Sequence, residues 1–80
     1  MFYTYILYSK SLDKFYIGAT KQLDIRIQKH NTNHKGYTGK SNDWKIVYHE
    51  QFESWKEALS REKQIKNKKS RKFIELLIED

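Results

Sequence analysis

Three side chains with chemical potential interrupt the apolar faces of two predicted helices. In the first helix, Leu23, Arg26, Ile27 and His30 fall at the i, i+3, i+4 and i+7 positions of one stripe. In the second helix, Glu62 falls within the apolar stripe. A guanidinium fork can bind phosphate, a carboxylate can bind a hard divalent cation, and an imidazole can relay a proton near neutral pH. A charged side chain that faces a core is costly unless it is paired, hydrogen-bonded or metal-bound, so these three residues indicate a site.

Structural roles compete with that interpretation. A buried ion pair between Arg26 and Glu62 would fix how the two helices pack, and such pairs also occur on helix stripes. A lone His30 is more often a hydrogen-bonded structural histidine than a catalyst. His30 and His34 have the spacing of a zinc pair if the helix continues, but Asn31-Thr32-Asn33 interrupts it and the sequence has no cysteine.

The elements that must position these residues follow from local patterns. Phe2–Tyr8 and Lys14–Gly18 are rich in tyrosine and β-branched residues, with a short polar segment between them, which predicts an antiparallel hairpin. Gly18 is expected to end the second strand, where a side chain would obstruct a phosphate or the following turn. Thr20 is predicted to cap a helix that runs to about Asn31.

The second half of the chain predicts one strand and two helices. Trp44, Ile46 and Tyr48 alternate with Lys45, Val47 and His49, which is typical of a strand. Ser54 and Glu57 form a capping box, so a helix is expected to begin at Trp55 and to turn Trp55, Ala58, Leu59 and Ile65 inward. Ser70 is expected to cap the last helix. The order β-β-α-β-α-α predicts an α+β domain with a small antiparallel sheet.

Composition limits the class of protein. The 80 residues predict one domain over 1–80, and the aromatic content of 15% argues against a disordered chain. The N-terminus has no signal-peptide pattern and no apolar run approaches the length of a membrane span, so a cytoplasmic protein with no membrane partner is expected. The net charge of +6 favours a nucleic-acid partner.

Two tyrosine motifs carry a family resemblance. Tyr3-Thr4-Tyr5, followed by Tyr16-Ile17-Gly18, resembles the paired motif of the GIY-YIG nuclease family. The resemblance extends in order through Arg26, His30 and Glu62, and covers nearly the whole chain. It departs from the motif name at the first two positions, where tyrosine and threonine stand in place of glycine and isoleucine.

This resemblance implies a three-stranded antiparallel sheet flanked by helices and a metal-dependent hydrolysis of phosphodiester bonds. Glu62 would bind Mg²⁺ or Mn²⁺ in a single-metal mechanism, and Arg26 would bind the scissile phosphate. Tyr16 would position the water or the phosphate. Tyr5 and His30 are two candidates for the general base. The unperturbed pKa of about 10 for tyrosine means that Tyr5 would need nearby cations for that role.

A further set of residues is predicted to bind substrate, chiefly through phosphate contacts that position a duplex without reading its bases. Each lysine alone is more typical of a solvated face, but the cluster favours binding. The set comprises Gly18, Lys35, Tyr37, Thr38, Lys40, Lys66, Asn67, Lys69 and Arg71.

Three function classes follow. The inward arginine and glutamate favour a DNA endonuclease, structure-specific in repair or recombination, over two alternatives: a non-catalytic nucleic-acid-binding module and an interaction protein with exposed aromatic residues. The chain leaves no room for an appended specificity domain. An enzyme of this size would recognise nucleic-acid shape, use a protein partner for specificity, or cut with little selectivity. DNA is favoured over RNA by analogy with the family.

Overall fold

The predicted element order is confirmed by the computed structural model. The structure describes residues 1–31 and 41–79, except for the side chains of Asp24, Gln28, Lys29 and His30. Its strands and helices, in chain order, are β1 (Phe2–Ser9), β2 (Lys14–Thr20), α1 (Leu23–Asn31), β3 (Trp44–Phe52), α2 (Trp55–Lys68) and α3 (Arg71–Glu79). The strands form one antiparallel sheet in the order β2-β1-β3, which confirms the α+β class.

The central strand β1 contributes to a core on each side of the sheet. On one side, the α1 core consists of Tyr5, Leu7 and Trp44, against which side chains of α1 pack. On the other side, Ile6 packs with Ile65 of α2 and Ile74 of α3 in the α2–α3 core. Because successive side chains of a strand point to opposite faces, β1 is buried on both faces and holds the helices in place.

A bulge in β3 changes which residues share a face. Ile6 of β1 pairs with Tyr48, but its neighbour Leu7 pairs with Ile46, so Val47 is an extra residue in β3. Strict alternation would place Ile46 and Tyr48 together. Instead, Ile46 packs against the α1 core, whereas Tyr48 packs against the α2–α3 core. The predicted strand is confirmed, but its alternation is interrupted at Val47.

The junction between β2 and α1 differs from the prediction. β2 continues past Gly18 to Thr20, and α1 begins only at Leu23. The hydroxyl of Thr20 accepts a hydrogen bond from the backbone N–H of Gln22 at 3.1 Å, within a short turn. The carbonyl of Gln22 accepts the first helical bond, from the N–H of Arg26 at 3.1 Å. Thr20 therefore closes the turn before the helix and is not its cap.

The predicted caps of the last two helices are confirmed. Ser54 accepts a hydrogen bond from the N–H of Glu57 at 3.1 Å, and α2 begins at the next residue after Ser54. α2 ends where Lys69 adopts a left-handed conformation with φ of 48°. Ser70 then accepts a hydrogen bond from the N–H of Phe73 at 3.2 Å, at the start of α3.

The inward face of α2 is narrower than predicted. Ala58 and Ile65 are buried, but Trp55 and Leu59 are 41% and 39% exposed, so their predicted core positions are wrong. The ring of Trp55 instead packs against Phe2, with 5.8 Å between the centroids. The buried face therefore runs from Ala58 to Ile65, and Glu62 lies between these two residues in the helix.

Specific polar contacts attach α1 and α2 to the sheet. The side chain of Asn31, at the end of α1, bonds both backbone groups of Trp44: its Nδ2 donates to the carbonyl at 2.9 Å and its Oδ1 accepts from the N–H at 2.7 Å. The buried hydroxyl of Thr4 donates to the carbonyl of Ala58 at 2.7 Å. Arg61 also bonds the Glu50 carboxylate of β3, with an Nη2–Oε2 distance of 3.0 Å.

None of the helices among the described residues is long and apolar enough to cross a bilayer.

Replacing Thr4 by valine should destabilise the chain by about 1–3 kcal/mol, because a buried carbonyl loses its side-chain donor while the shape is kept. Urea unfolding followed by tryptophan fluorescence measures the loss. Thr20→Val is the control, since its hydroxyl lies in an exposed turn. Equal losses in the two variants would contradict a specific role for the bond between Thr4 and Ala58.

Candidate active site

Tyr5 is the centre of the site. It lies on the middle strand and is only 1% exposed, and its partner on β2 is Gly18. A Cβ atom placed on Gly18 would lie 2.5 Å from the Tyr5 hydroxyl oxygen and 2.7 Å from its Cζ atom. Any side chain at Gly18 would therefore collide with the tyrosine ring. The expectation that Gly18 ends the strand is wrong, and the group that approaches its backbone is the ring of Tyr5.

Arg26 of α1 connects the two motif tyrosines. Its guanidinium hydrogen-bonds with the hydroxyls of Tyr5 and Tyr16, and the bond to Tyr5 is the main cause that raises the pKa of Arg26. The ring of Tyr16 also meets Trp44 edge to face, with 6.4 Å between centroids. Arg26 therefore turns towards both tyrosines, but its side chain is exposed and does not lie in the core.

Burial controls the protonation of Tyr5. Desolvation raises the pKa of its phenol, and the charge of Glu62 also raises it, whereas the hydrogen bond and the charge of Arg26 lower it. The net effect is a pKa above the usual value of about 10. Arg26 thus acts in the direction expected of a nearby cation but does not outweigh burial. Tyr5 is therefore a neutral phenol at pH 7.

Glu62 places a carboxylate near Tyr5. Its side chain is 19% exposed on α2, and its Oε2 atom pairs with the ammonium of Lys66 at 2.6 Å. Within residues 1–31 and 41–79, Glu62 forms its ion pair with Lys66. Arg26 instead contacts the two tyrosines. The alternative of an Arg26–Glu62 ion pair is therefore not what the structure shows.

The donor set at Glu62 fits a hard cation that keeps most of its water. Within the described part of the chain, no group of three or more His, Cys, Asp or Glu side chains converges on one point. Mg²⁺ commonly binds to one or two protein carboxylates and retains several waters, so a single glutamate is a sufficient protein ligand. The zinc alternative with His30 and His34 lies outside the described side chains.

Part of the predicted substrate-binding set lies in one groove. Lys66, Lys69 and Arg71 line a groove of about 330 Å³ beside β2, together with Lys14, which the sequence had not singled out. Asn67 is exposed on α2. Four predicted residues and one predicted catalytic side chain lie outside what the structure describes: Lys35, Tyr37, Thr38, Lys40 and His30.

Arg71 has a structural role that the sequence did not predict. Its Nη2 atom pairs with the Asp13 carboxylate at 2.6 Å, and its Nη1 atom donates to the Asp13 carbonyl at 2.9 Å. Its guanidinium also lies 5.1 Å from the centre of the Phe15 ring. Arg71 therefore holds α3 against the hairpin turn, and its fork is already occupied.

Sequence reasoning missed two attachments that place the site. Lys66 was predicted only as a phosphate contact, although its position four residues after Glu62 is the spacing of a helical ion pair. Thr4 was treated as a departure from a motif, whereas its hydroxyl fixes α2 to β1. The available signal for Thr4 was its short hydroxyl side chain among the large aromatic and aliphatic residues of Phe2–Tyr8.

Fold and site together define a small α+β domain in which two strand tyrosines share one helical arginine near a glutamate. A model of the GIY-YIG catalytic domain matches residues 1–74. The chain therefore belongs to the GIY-YIG family, whose common domain is a nuclease catalytic domain.

A curated relative supports the same assignment. The chain is 36% identical over 78 residues to a UPF0213 protein of Staphylococcus saprophyticus, and the match covers 96% of this chain and 94% of that protein. No solved structure matches the chain.

Gly18→Ala should destabilise the chain by about 1–3 kcal/mol, the usual cost of overpacking, because the new methyl group meets the Tyr5 ring. Urea unfolding measures this cost. In a Tyr5→Leu background the same change should cost much less, since the phenol is gone. A cost that is the same in both backgrounds would contradict the proposed contact.

Proposed function

We propose that this chain is a divalent-metal-dependent endonuclease that hydrolyses phosphodiester bonds in DNA, with residues 1–80 acting as one catalytic domain. The observation that carries the proposal is the position of Tyr5, which hydrogen-bonds with Arg26 and lies within range of the charge of Glu62. A cation and an anion near the same buried phenol provide one group for a phosphate and one for a metal. Membership of a nuclease family supports the same reaction class.

Each residue of the candidate site has a distinct role in this proposal. Glu62 would hold Mg²⁺ or Mn²⁺, which when bound supplies positive charge to stabilise the transition state and to activate water. Arg26 binds and orients the scissile phosphate through its planar fork. As a neutral phenol, Tyr5 orients the attacking water by hydrogen bonding, and Tyr16 supports Arg26. Of the two candidates for the group that accepts the proton, the raised pKa of Tyr5 disfavours Tyr5 and leaves His30 as the better candidate.

The groove beside β2 would hold the nucleic-acid backbone next to this centre. Lys14, Lys66 and Lys69 line it, and Glu62 lies one helical turn before Lys66. Phosphate contacts of this kind position a strand without reading its sequence. We propose DNA with a structural irregularity as the substrate, in repair or recombination in the cytoplasm. Partner proteins are a second source of specificity.

Cleavage of a labelled panel tests the function directly. Linear, nicked, flap and branched DNA, single-stranded DNA and RNA are each incubated with Mg²⁺, Mn²⁺ or EDTA. We expect metal-dependent cuts that fall by at least ~100-fold in Glu62→Gln, because the loss of charge stabilisation at a reacting centre has costs of this order. Glu53→Gln, an exposed carboxylate just before α2, is the matched control.

Two results would contradict the proposal. Salt-sensitive DNA binding without cleavage by the parent chain would support the alternative of a non-catalytic nucleic-acid-binding module. Cleavage that persists in Glu62→Gln would show that Glu62 is not the metal ligand, or that the activity belongs to a contaminating enzyme.

The ion pair at Glu62 gives a prediction that does not depend on cleavage. Lys66 pairs with the carboxylate that would hold the metal, so Lys66→Met should raise Mn²⁺ affinity about two- to threefold, the range set by a helical ion pair. Electron paramagnetic resonance of free Mn²⁺ measures the affinity. Lys63→Met on the same helix should change it less. Equal effects of the two substitutions would contradict competition at Glu62.

A further inference from the structure

A second groove lies on the face of the sheet that carries Tyr5. Its volume is about 480 Å³, and it is lined by Tyr3, Lys21, Gln22, Leu23, Ile25, His49 and Gln51. Among the side chains that the structure describes, its lining contains no carboxylate and none of Tyr5, Tyr16 and Arg26. Its polar groups are one lysine, two amides, a phenol and an imidazole, a set suited to an anionic partner with flat rings and hydrogen-bonding edges.

The groove adjoins the proposed catalytic centre through the sheet. Tyr3 is two residues before Tyr5 on β1 and so points to the same face. His49 is the direct partner of Tyr5 on β3, and Gln51 is the partner of Tyr3. Directly opposed residues of antiparallel strands have Cα atoms roughly 4.5–5.5 Å apart. A ligand in this groove therefore lies next to a phosphate bound near Tyr5.

The aromatic pair in the groove can receive a third ring. Tyr3 and His49 meet edge to face, with 6.0 Å between centroids and 68° between their planes. His49 is exposed, so a flat ring can stack on it. Stacking on aromatic side chains accepts every nucleobase, and the amides of Gln22 and Gln51 can bond base edges. Tyr3 occupies the position where the motif name has glycine, so the ring is not part of the named motif.

We propose that this groove binds one unpaired nucleotide beside the scissile phosphate, with its base on the Tyr3–His49 pair and its phosphate at Lys21. The inference rests on the proposed nuclease function and narrows its substrate. A base inside a duplex must first be unstacked and unpaired at an energetic cost, so an unpaired base enters this groove far more readily. The substrate is therefore DNA with a single-stranded segment at the cut, such as a flap or a branch.

Binding of a fluorescent flap tests the groove without cleavage. Glu62→Gln protein is titrated into flap DNA with 2-aminopurine at the first unpaired position, and into a fully paired duplex with the same label. We expect stacking to quench the flap signal. Tyr3→Leu and His49→Ala should each remove the quench and weaken flap binding roughly five- to hundredfold, while duplex binding stays unchanged.

Matched variants separate this effect from general losses. Tyr8→Leu changes a tyrosine of the same strand that lines the opposite face, and Lys45→Ala removes an exposed residue of β3 outside the groove. Both should keep the quench. Tyr3→Phe retains the ring and should also keep it, which guards against a folding defect in Tyr3→Leu.

The results distinguish this inference from the proposed function. Unchanged quench and flap affinity in both Tyr3→Leu and His49→Ala would overturn the groove assignment, even if the parent chain cuts DNA with metal. Loss of the quench in these variants supports the assignment, and it does so even if the parent chain cuts no member of the panel, a result that would contradict the nuclease proposal alone.

Discussion

The contact between the Tyr5 ring and the backbone of Gly18 is the constraint on which the site depends. A side chain at Gly18 would lie within 2.5 Å of the phenol oxygen, so the central tyrosine and the glycine of the neighbouring strand require one another. The phenol is buried there, and this burial raises its pKa. A buried, neutral hydroxyl needs hydrogen-bond partners, and Arg26 is one of them. The two tyrosine motifs of the sequence are thus one packing unit.

Two polar attachments bring the charged groups to that unit. Asn31 fixes the end of α1 to the start of β3, which holds the helix that carries Arg26. Thr4 fixes α2 to the central strand through Ala58, one helical turn before Glu62. Because Thr4 is adjacent to Tyr5 in β1, the carboxylate and the phenol are held by the same segment of backbone. The geometry of the site is therefore set by a few hydrogen bonds between residues that are far apart in the sequence.

Local patterns predicted most of the fold, and long-range packing accounts for the rest. Ser54 and Ser70 cap helices through bonds to residues three positions away, so the sequence alone located both helix starts. The bulge at Val47 depends on how β3 meets β1, and no periodicity in β3 reports it. Trp55 lies on the apolar stripe of α2, but it is 41% exposed and packs against Phe2. The helix stripes and the two motifs placed Arg26, Glu62 and both tyrosines in the site. The pairing of Lys66 with Glu62 was missed, although its i,i+4 spacing is visible in the sequence.

Mn²⁺ broadening of backbone amide resonances tests the central claim most directly, because it locates the metal without relying on turnover. Substoichiometric Mn²⁺ is added to ¹⁵N-labelled protein. The account predicts broadening centred on Glu62 that extends to Tyr5 and Gly18 and is lost in Glu62→Gln. Broadening centred on another carboxylate, such as Asp43, with the amide of Glu62 unaffected, would contradict it.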